Sequence, residues 1–195
     1  MSAQRIESFA TPEEYLALER AADFKSEYYA GEIVAMSGAS FRHERIVVNL
    51  AATVHRILRG KPCQPNGGNL RVRVRRTNFV YPDLTVVCGE PRFADSEHLD
   101  TILNPTVIFE ILSPSTEAND RGIKWRLYQQ IESLEHYVLI HQDSARVEVH
   151  TRQNDVDWIL HAEEGLAGRI ALPAIGAEIA LADLYEGIEM EARAE

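Results

Sequence analysis

The sequence is poor in cysteine. Cys63 and Cys88 are the only two among 195 residues, they lie far apart, and neither belongs to a CxxC pair. Neither a disulfide framework nor a zinc site is signalled, and the reading is of two ordinary thiols in a reducing cytosol. Also missing is any apolar run approaching the roughly 18 uncharged residues that a membrane span needs. The start, MSAQRIESFATPEEY, lacks the basic, apolar and cleavage-site order of a leader. A cytoplasmic chain with no membrane partner is expected. No Walker loop, GxGxxG or GxSxG occurs, which leaves nucleotide hydrolysis, dinucleotide binding and α/β-hydrolase chemistry without support. His98, His136, His141, His150 and His161 show no HxxxH or HxH spacing and read as structural.

What is present is the mix of a folded protein, 45% hydrophobic and 26% charged, at a length that fills one core. A single domain over residues 1–195 is expected. The formal net charge of -10, taken alone, argues against a polyanion as partner. Its distribution argues otherwise: from Arg42 to Arg76 nine basic residues face one acid, Glu44. Such an asymmetry can mark a nucleic-acid surface, or simply the scatter of charge around one helix and one strand.

Thr11-Pro12-Glu13-Glu14 reads as a helix start with a capping box. A hairpin around Gly31 follows, with strands over Ser26 to Ala30 and Glu32 to Met36. Ser40 caps a long helix carrying Ile46, Val47, Leu50, Ala51, Val54, Ile57 and Leu58, ended by Gly60 and Pro62. Asn69 to Arg76 alternates as a strand, with Val72 and Val74 on one face and Arg71, Arg73 and Arg75 on the other. Phe79 to Cys88 and Thr106 to Leu112 are apolar on both faces and read as interior strands. Between them, Gly89 to Asn104 reads as a surface loop. Ile123, Leu127 and Ile131 mark a helix facing the sheet, and Tyr137 to Ala162 reads as a β-meander.

Each interior strand contains one acid that periodicity buries, Asp83 and Glu110. An unpaired buried carboxylate costs several kcal/mol, on the order of a domain's whole stability, so each must be paired, protonated or bound to a cation. A hard divalent cation relieves both, because Mg²⁺ commonly takes one or two carboxylates and completes its shell with water and phosphate. Lys124 follows on the next helix, where its amine can orient an attacking water or stabilise charge on phosphorus. The bland alternative for Lys124 is an exposed helical pair with Asp120.

Pro82-Asp83, Glu110-Ile111-Leu112 and Lys124 resemble the signature of the PD-(D/E)XK nuclease superfamily. The runs YYAGEIVAMSGASFRHERIVVNL, YPDLTVVC and FEILSPSTEANDRGIKWRLYQ are similar to the Uma-type family of restriction endonucleases. The resemblance implies an α/β fold: a restriction-endonuclease-like core of mixed sheet flanked by helices, here with the C-terminal meander added. It further implies a metal-dependent endonuclease acting on DNA, with Asp83 and Glu110 as Mg²⁺ ligands and Mn²⁺ as a substitute. One position departs from the superfamily: Leu112 stands where the motif has lysine, and Lys124 takes that place. Glu27 matches a family acid before the GEI turn and can add a ligand or position water; otherwise it is a surface carboxylate. His43 can contact the scissile phosphate or tune the attacking water, or be a boundary residue. Arg71, Arg73 and Arg75 are candidates to hold backbone phosphates. An apolar meander edge, and the need to meet two strands of a duplex, suggest a homodimer. A catalytically inactive nucleic-acid-binding or assembly module on the same fold is the competing reading. A glycosidase pair has no aromatic sugar platform to support it.

Overall fold

A computed structural model of the chain describes residues 5–6 and 9–189, so the ends of the domain expected over 1–195 lie outside the described residues. The first elements are β1 (Arg5–Ile6), α1 (Pro12–Ala21), β2 (Ser26–Tyr29), β3 (Glu32–Ala35) and α2 (Phe41–Leu58). The capping box forms: Thr11 Oγ1 accepts from the Glu14 amide at 3.2 Å, and Glu14 Oε2 accepts from the Thr11 amide at 2.8 Å. Gly31, at φ +110°, supplies the positive dihedral that the β2–β3 turn requires. Helix α2 starts where Ser40 Oγ accepts from the His43 amide, and it buries Ile46, Leu50, Val54 and Leu58.

There follow β4 (Cys63–Gly67), β5 (Arg71–Val74), β6 (Asn78–Val80), β7 (Leu84–Cys88), β8 (Thr101–Ile102) and β9 (Val107–Leu112). Next comes one helical segment over 117–128, made of α3 (Glu117–Asn119), a π-helical turn (Asp120–Lys124) and α4 (Trp125–Tyr128). The remainder is β10 (His136–His141), β11 (Arg146–Arg152), β12 (Trp158–Glu164), β13 (Arg169–Leu172), β14 (Ala177–Ala180) and α5 (Leu181–Leu184).

The strands form two six-stranded sheets, ordered β1-β3-β2-β6-β5-β8 and β12-β11-β10-β9-β7-β4, and a small β13-β14 pair. In the second sheet β9 and β10 run parallel, and its other pairs are antiparallel. This is a mixed α+β fold of the restriction-endonuclease-like kind. Successive β9 residues alternate between two cores: Phe109 and Ile111 pack with Ile46 and Leu50 of α2, while Ile108 and Leu112 pack with Tyr128 and Tyr137. Outermost is β12, with Ile159 and Leu160 exposed along the sheet edge.

Several sequence expectations change. Phe79 to Cys88 is not one strand: the chain leaves the first sheet after Val80 and enters the second at Leu84. Tyr81-Pro82-Asp83 makes the crossing, and Pro82 has no N–H to give a ladder. Strand β4 reads CQPNG, too poor in β-branched residues to be legible; as the sheet's edge it tolerates Pro65. Short β8 lies within the expected loop. The cysteines are not free thiols. The β4–β7 register sets Cys63 opposite Cys88, with Cα atoms 3.9 Å apart, and the two form a disulfide. Their separation of 25 residues hid a pairing that the register makes adjacent. Among the described residues no helix is long and apolar enough to cross a membrane.

Candidate active site

Glu110 projects from the middle of β9, a strand buried along its length. The β7–β9 pairing ends at Leu84 and Phe109, so Asp83, the residue before Leu84, and Glu110, the residue after Phe109, lie side by side at the end of the ladder. Side-by-side positions across a ladder share a face of the sheet, and the two acids therefore emerge together. Asp83 Oδ2 accepts the Ile111 amide at 2.7 Å and lies 3.3 Å from His43 Nε2. Glu110 Oε1 accepts from Lys124 Nζ at 3.0 Å and from the Tyr128 hydroxyl at 2.8 Å. The second oxygen of each acid has no protein partner among the described residues.

Lys124 is 5% exposed and stands among three carboxylates: Glu110 at 3.0 Å, Glu27 at 3.2 Å and Asp120 at 3.3 Å. An ammonium has three N–H bonds, so all three carboxylates are within reach of its donors. Burial alone would lower the Lys124 pKa, but Glu110 and Glu27 outweigh it and hold the amine well above its ordinary value. Burial raises the Glu110 carboxyl well above the usual range; Lys124 opposes the shift, and Asp120, Asp83 and Glu27 add to it. Asp120 is raised chiefly by the same burial, again against Lys124.

The helix turns its other side to the sheet than its apolar pattern suggested. Ile123 is 46% exposed, whereas Asp120, Lys124 and Tyr128, four apart, form the buried stripe. The π-helical turn lies at this stripe, and the Tyr137 hydroxyl donates to the Asp120 carbonyl at 3.1 Å. The Asp120–Lys124 pair of the alternative reading exists but is buried, not exposed: Asp120 is 2% exposed.

Glu27 is no surface carboxylate. Its Oε1 faces Lys124 and accepts the Tyr81 amide at 3.0 Å, while Tyr29, itself held by Asn119, donates to Oε2. It stands behind Lys124 and does not line the cleft described below. His43 does line it. Burial lowers the His43 pKa, yet the contact with Asp83 prevails and the net shift is upward.

The acids open onto a cleft of about 890 Å³ walled by the Ser37–Ser40 segment, the first turn of α2, and the Ser113-Pro114-Ser115-Thr116 turn after β9. Asp83, Glu110, Asp120 and Lys124 all reach it. None of Arg71, Arg73 and Arg75 does. Arg71 is buried against Asp100, Thr101 and Tyr81, Arg73 is half-buried, and Arg75 sits past the strand in a turn at φ +55°. The alternation expected of an exposed basic face fails because β5 lies between β6 and β8 and hides Arg71 in an ion pair.

Sequence reading missed Asp120 and Tyr128 as members of the cluster; their four-residue spacing from Lys124 was the available signal. Among the described residues no three His, Cys, Asp or Glu side chains are grouped to hold an ion by themselves. The fit is instead to a cation needing few protein ligands. Asp83 and Glu110 each keep a hard oxygen without a partner, and three carboxylates face the single buried ammonium of Lys124 while Asp83 stands against His43.

The sequence profile of the Uma2 family, described as "putative restriction endonuclease", matches residues 12–182. Protein slr1290 of Synechocystis sp. is 35% identical over 179 residues, covering 91% of this chain and 92% of that protein. Protein sll1609 of the same organism is 33% identical over 151 residues, covering 77% and 85%. In fold the chain is similar to a crystal structure from Anabaena variabilis titled a putative nuclease belonging to DUF820. The TM-score is 0.73 at 18% identity, covering 90% of this chain and 97% of that one.

Proposed function

The chain belongs to the Uma2 family of putative restriction endonucleases, and on that footing we propose that it is a divalent-metal-dependent endonuclease hydrolysing DNA phosphodiester bonds. One observation carries the reading. Asp83, in the crossing just before β7, and Glu110, on β9, stand together at the cleft wall, each with one oxygen anchored and the other without a protein partner among the described residues.

Asp83 and Glu110 would hold Mg²⁺, or Mn²⁺ as a substitute, and the bound ion would supply activation of water and neutralisation of charge on the phosphate. Lys124 stays protonated and acts as a fixed positive charge at the cleft floor, suited to stabilising a phosphoryl oxygen. Glu27 and Asp120 hold that ammonium in place from two sides. The Ile111 amide and His43 fix the Asp83 carboxylate so that its outer oxygen faces the cleft. The test is nicking of supercoiled plasmid and single-stranded DNA by purified protein in Mg²⁺ or Mn²⁺, with loss of cleavage in Asp83→Ala. No cleavage by the wild type, or unchanged cleavage by the variant, sinks the reading.

One observation favours a second reading, a non-catalytic nucleic-acid-binding or assembly module. Lys124 already donates to Glu110 and lies within ion-pair distance of Glu27 and Asp120, so a phosphate would compete with three carboxylates for it. A salt-sensitive gel shift without metal-dependent cleavage selects this module.

A further inference from the structure

The cleft does not end at Asp83. A second arm of about 670 Å³ continues past the Gly67-Gly68-Asn69 turn to Asp100, and it shares Lys25, Met36, Glu44, Tyr81 and Asp83 with the first. Gly68 forms part of its wall, so close to the crossing segment that a Cβ there would lie 3.3 Å from the carbonyl oxygens of both Pro82 and Asp83. Asp83 thus lines both cavities, where the two adjoin.

Two cavities with two acids exposed on their shared wall repel a polyanion unless a cation is present there. Lys25 is that cation. Its ammonium donates to the Gly68 carbonyl at 3.0 Å and lies 5.3 Å from the centre of the Tyr81 ring. It has no carboxylate partner among the described residues, and its side chain is exposed. Two of its three N–H bonds remain available. The only other lysine or arginine lining either arm is Lys124, already surrounded by carboxylates.

We propose that the two arms carry one DNA strand past Asp83 in both directions, and that Lys25 holds a phosphate neighbouring the scissile one. The assignment rests on the nuclease reading and deepens it. A blind pocket admits only a strand end, whereas a through-track places nucleotides on both sides of the bond to be cut, so covalently closed circles are substrates.

The test is fluorescence anisotropy with a labelled single-stranded 12-mer in Ca²⁺, an oxygen-ligated cation like Mg²⁺, with the oligonucleotide recovered and checked for integrity. Each phosphate contact contributes about 0.7 to 0.9 to the slope of log affinity against log salt, which at 0.1 M salt is roughly a five- to eightfold change. Lys25→Gln is expected to lose one such contact, flattening the slope by about 0.7 on this single strand, while Lys25→Arg retains it. Arg126→Gln, an exposed charge outside both arms, controls for net charge. Equal affinity and slope in Lys25→Gln and wild type overturn the assignment, as does an equal loss in Arg126→Gln. Cleavage confined to linear DNA, with closed single-stranded circles left intact, overturns the through-track. Lys25-dependent binding without cleavage of any DNA supports the track and sinks the nuclease reading, which separates the two.

Discussion

Lys124 Nζ and Glu110 Oε1 meet at 3.0 Å with both side chains buried, and Tyr128 donates a second hydrogen bond to the same oxygen. Removing one partner of a buried ion pair leaves an uncompensated charge, at a cost of about 3–5 kcal/mol. Here the removal strands three carboxylates at once.

Lys124→Met is therefore expected to lower stability by about that amount near pH 8. Burial already raises Glu110 and Asp120 and only the ammonium opposes it, so without Lys124 the folded chain binds more protons at these two carboxyls than the unfolded chain does. Stability is then greater at low pH and is lost as pH rises through the folded values. Urea unfolding at pH 8 and pH 5.5 checks this, with the gap to wild type narrowing at the lower pH. A constant gap contradicts it.

If Asp83 and Glu110 hold a divalent cation, Mn²⁺ binds the folded chain and not the unfolded one. At one hundred times its dissociation constant it adds about 2.7 kcal/mol. For a chain of this length that is roughly 5–10 °C in Tm. Asp83→Asn and Glu110→Gln are expected to abolish the shift and Arg126→Gln to preserve it, as read by calorimetry with and without EDTA.

The two acids were legible because an acid in a doubly apolar strand is an anomaly whatever the family. The strands around them were less so. Pattern alone joined Phe79 to Cys88 into one strand, and only Pro82 hinted that the chain changes sheets there. The helix after β9 misled in the opposite way: Ile123 and Leu127 suggested the buried face, while the true inward stripe is polar and pays its burial cost through mutual pairing. Lys124 lies beside Glu110, and Asp120, considered in the sequence only as an exposed partner in the alternative reading, is buried with it. Lys25 carried no signal, since a lone lysine before a strand is ordinary until two cavities meet beside it.

The Cys63–Cys88 disulfide closes a loop across a separation of 25 residues, worth roughly 3.5 kcal/mol in the chain-entropy account. Cys63→Ser, or full reduction, is expected to cost about 2–4 kcal/mol in urea unfolding. Thiol titration in denaturant should find no free thiol before reduction and two after it. Two titratable thiols in untreated protein contradict the bond.

His136 gives the fold an acid limit away from the site. It is fully buried, its Nε2 accepts the Ala174 amide at 3.3 Å, and its Nδ1 lies 3.1 Å from Thr151 Oγ1. An Nε2 that accepts an N–H carries no proton, so the folded chain holds the neutral ring, and burial pushes its pKa down to about 4. The unfolded ring titrates near 6.5. Between those values the unfolded chain binds the extra proton, so stability is whole above about pH 6.5 and falls as pH drops toward 4. The full loss is on the order of 3 kcal/mol. His136→Gln, which keeps an amide oxygen to accept from Ala174, is expected to flatten the stability profile over that window while leaving the decline below it, where Glu148 takes up a proton in the unfolded chain but stays ionised in the folded one, held down at about 2 by Arg121. Urea midpoints taken every half unit from pH 4 to pH 7.5 measure the slope, and an unchanged slope in the variant assigns the acid limit to other groups.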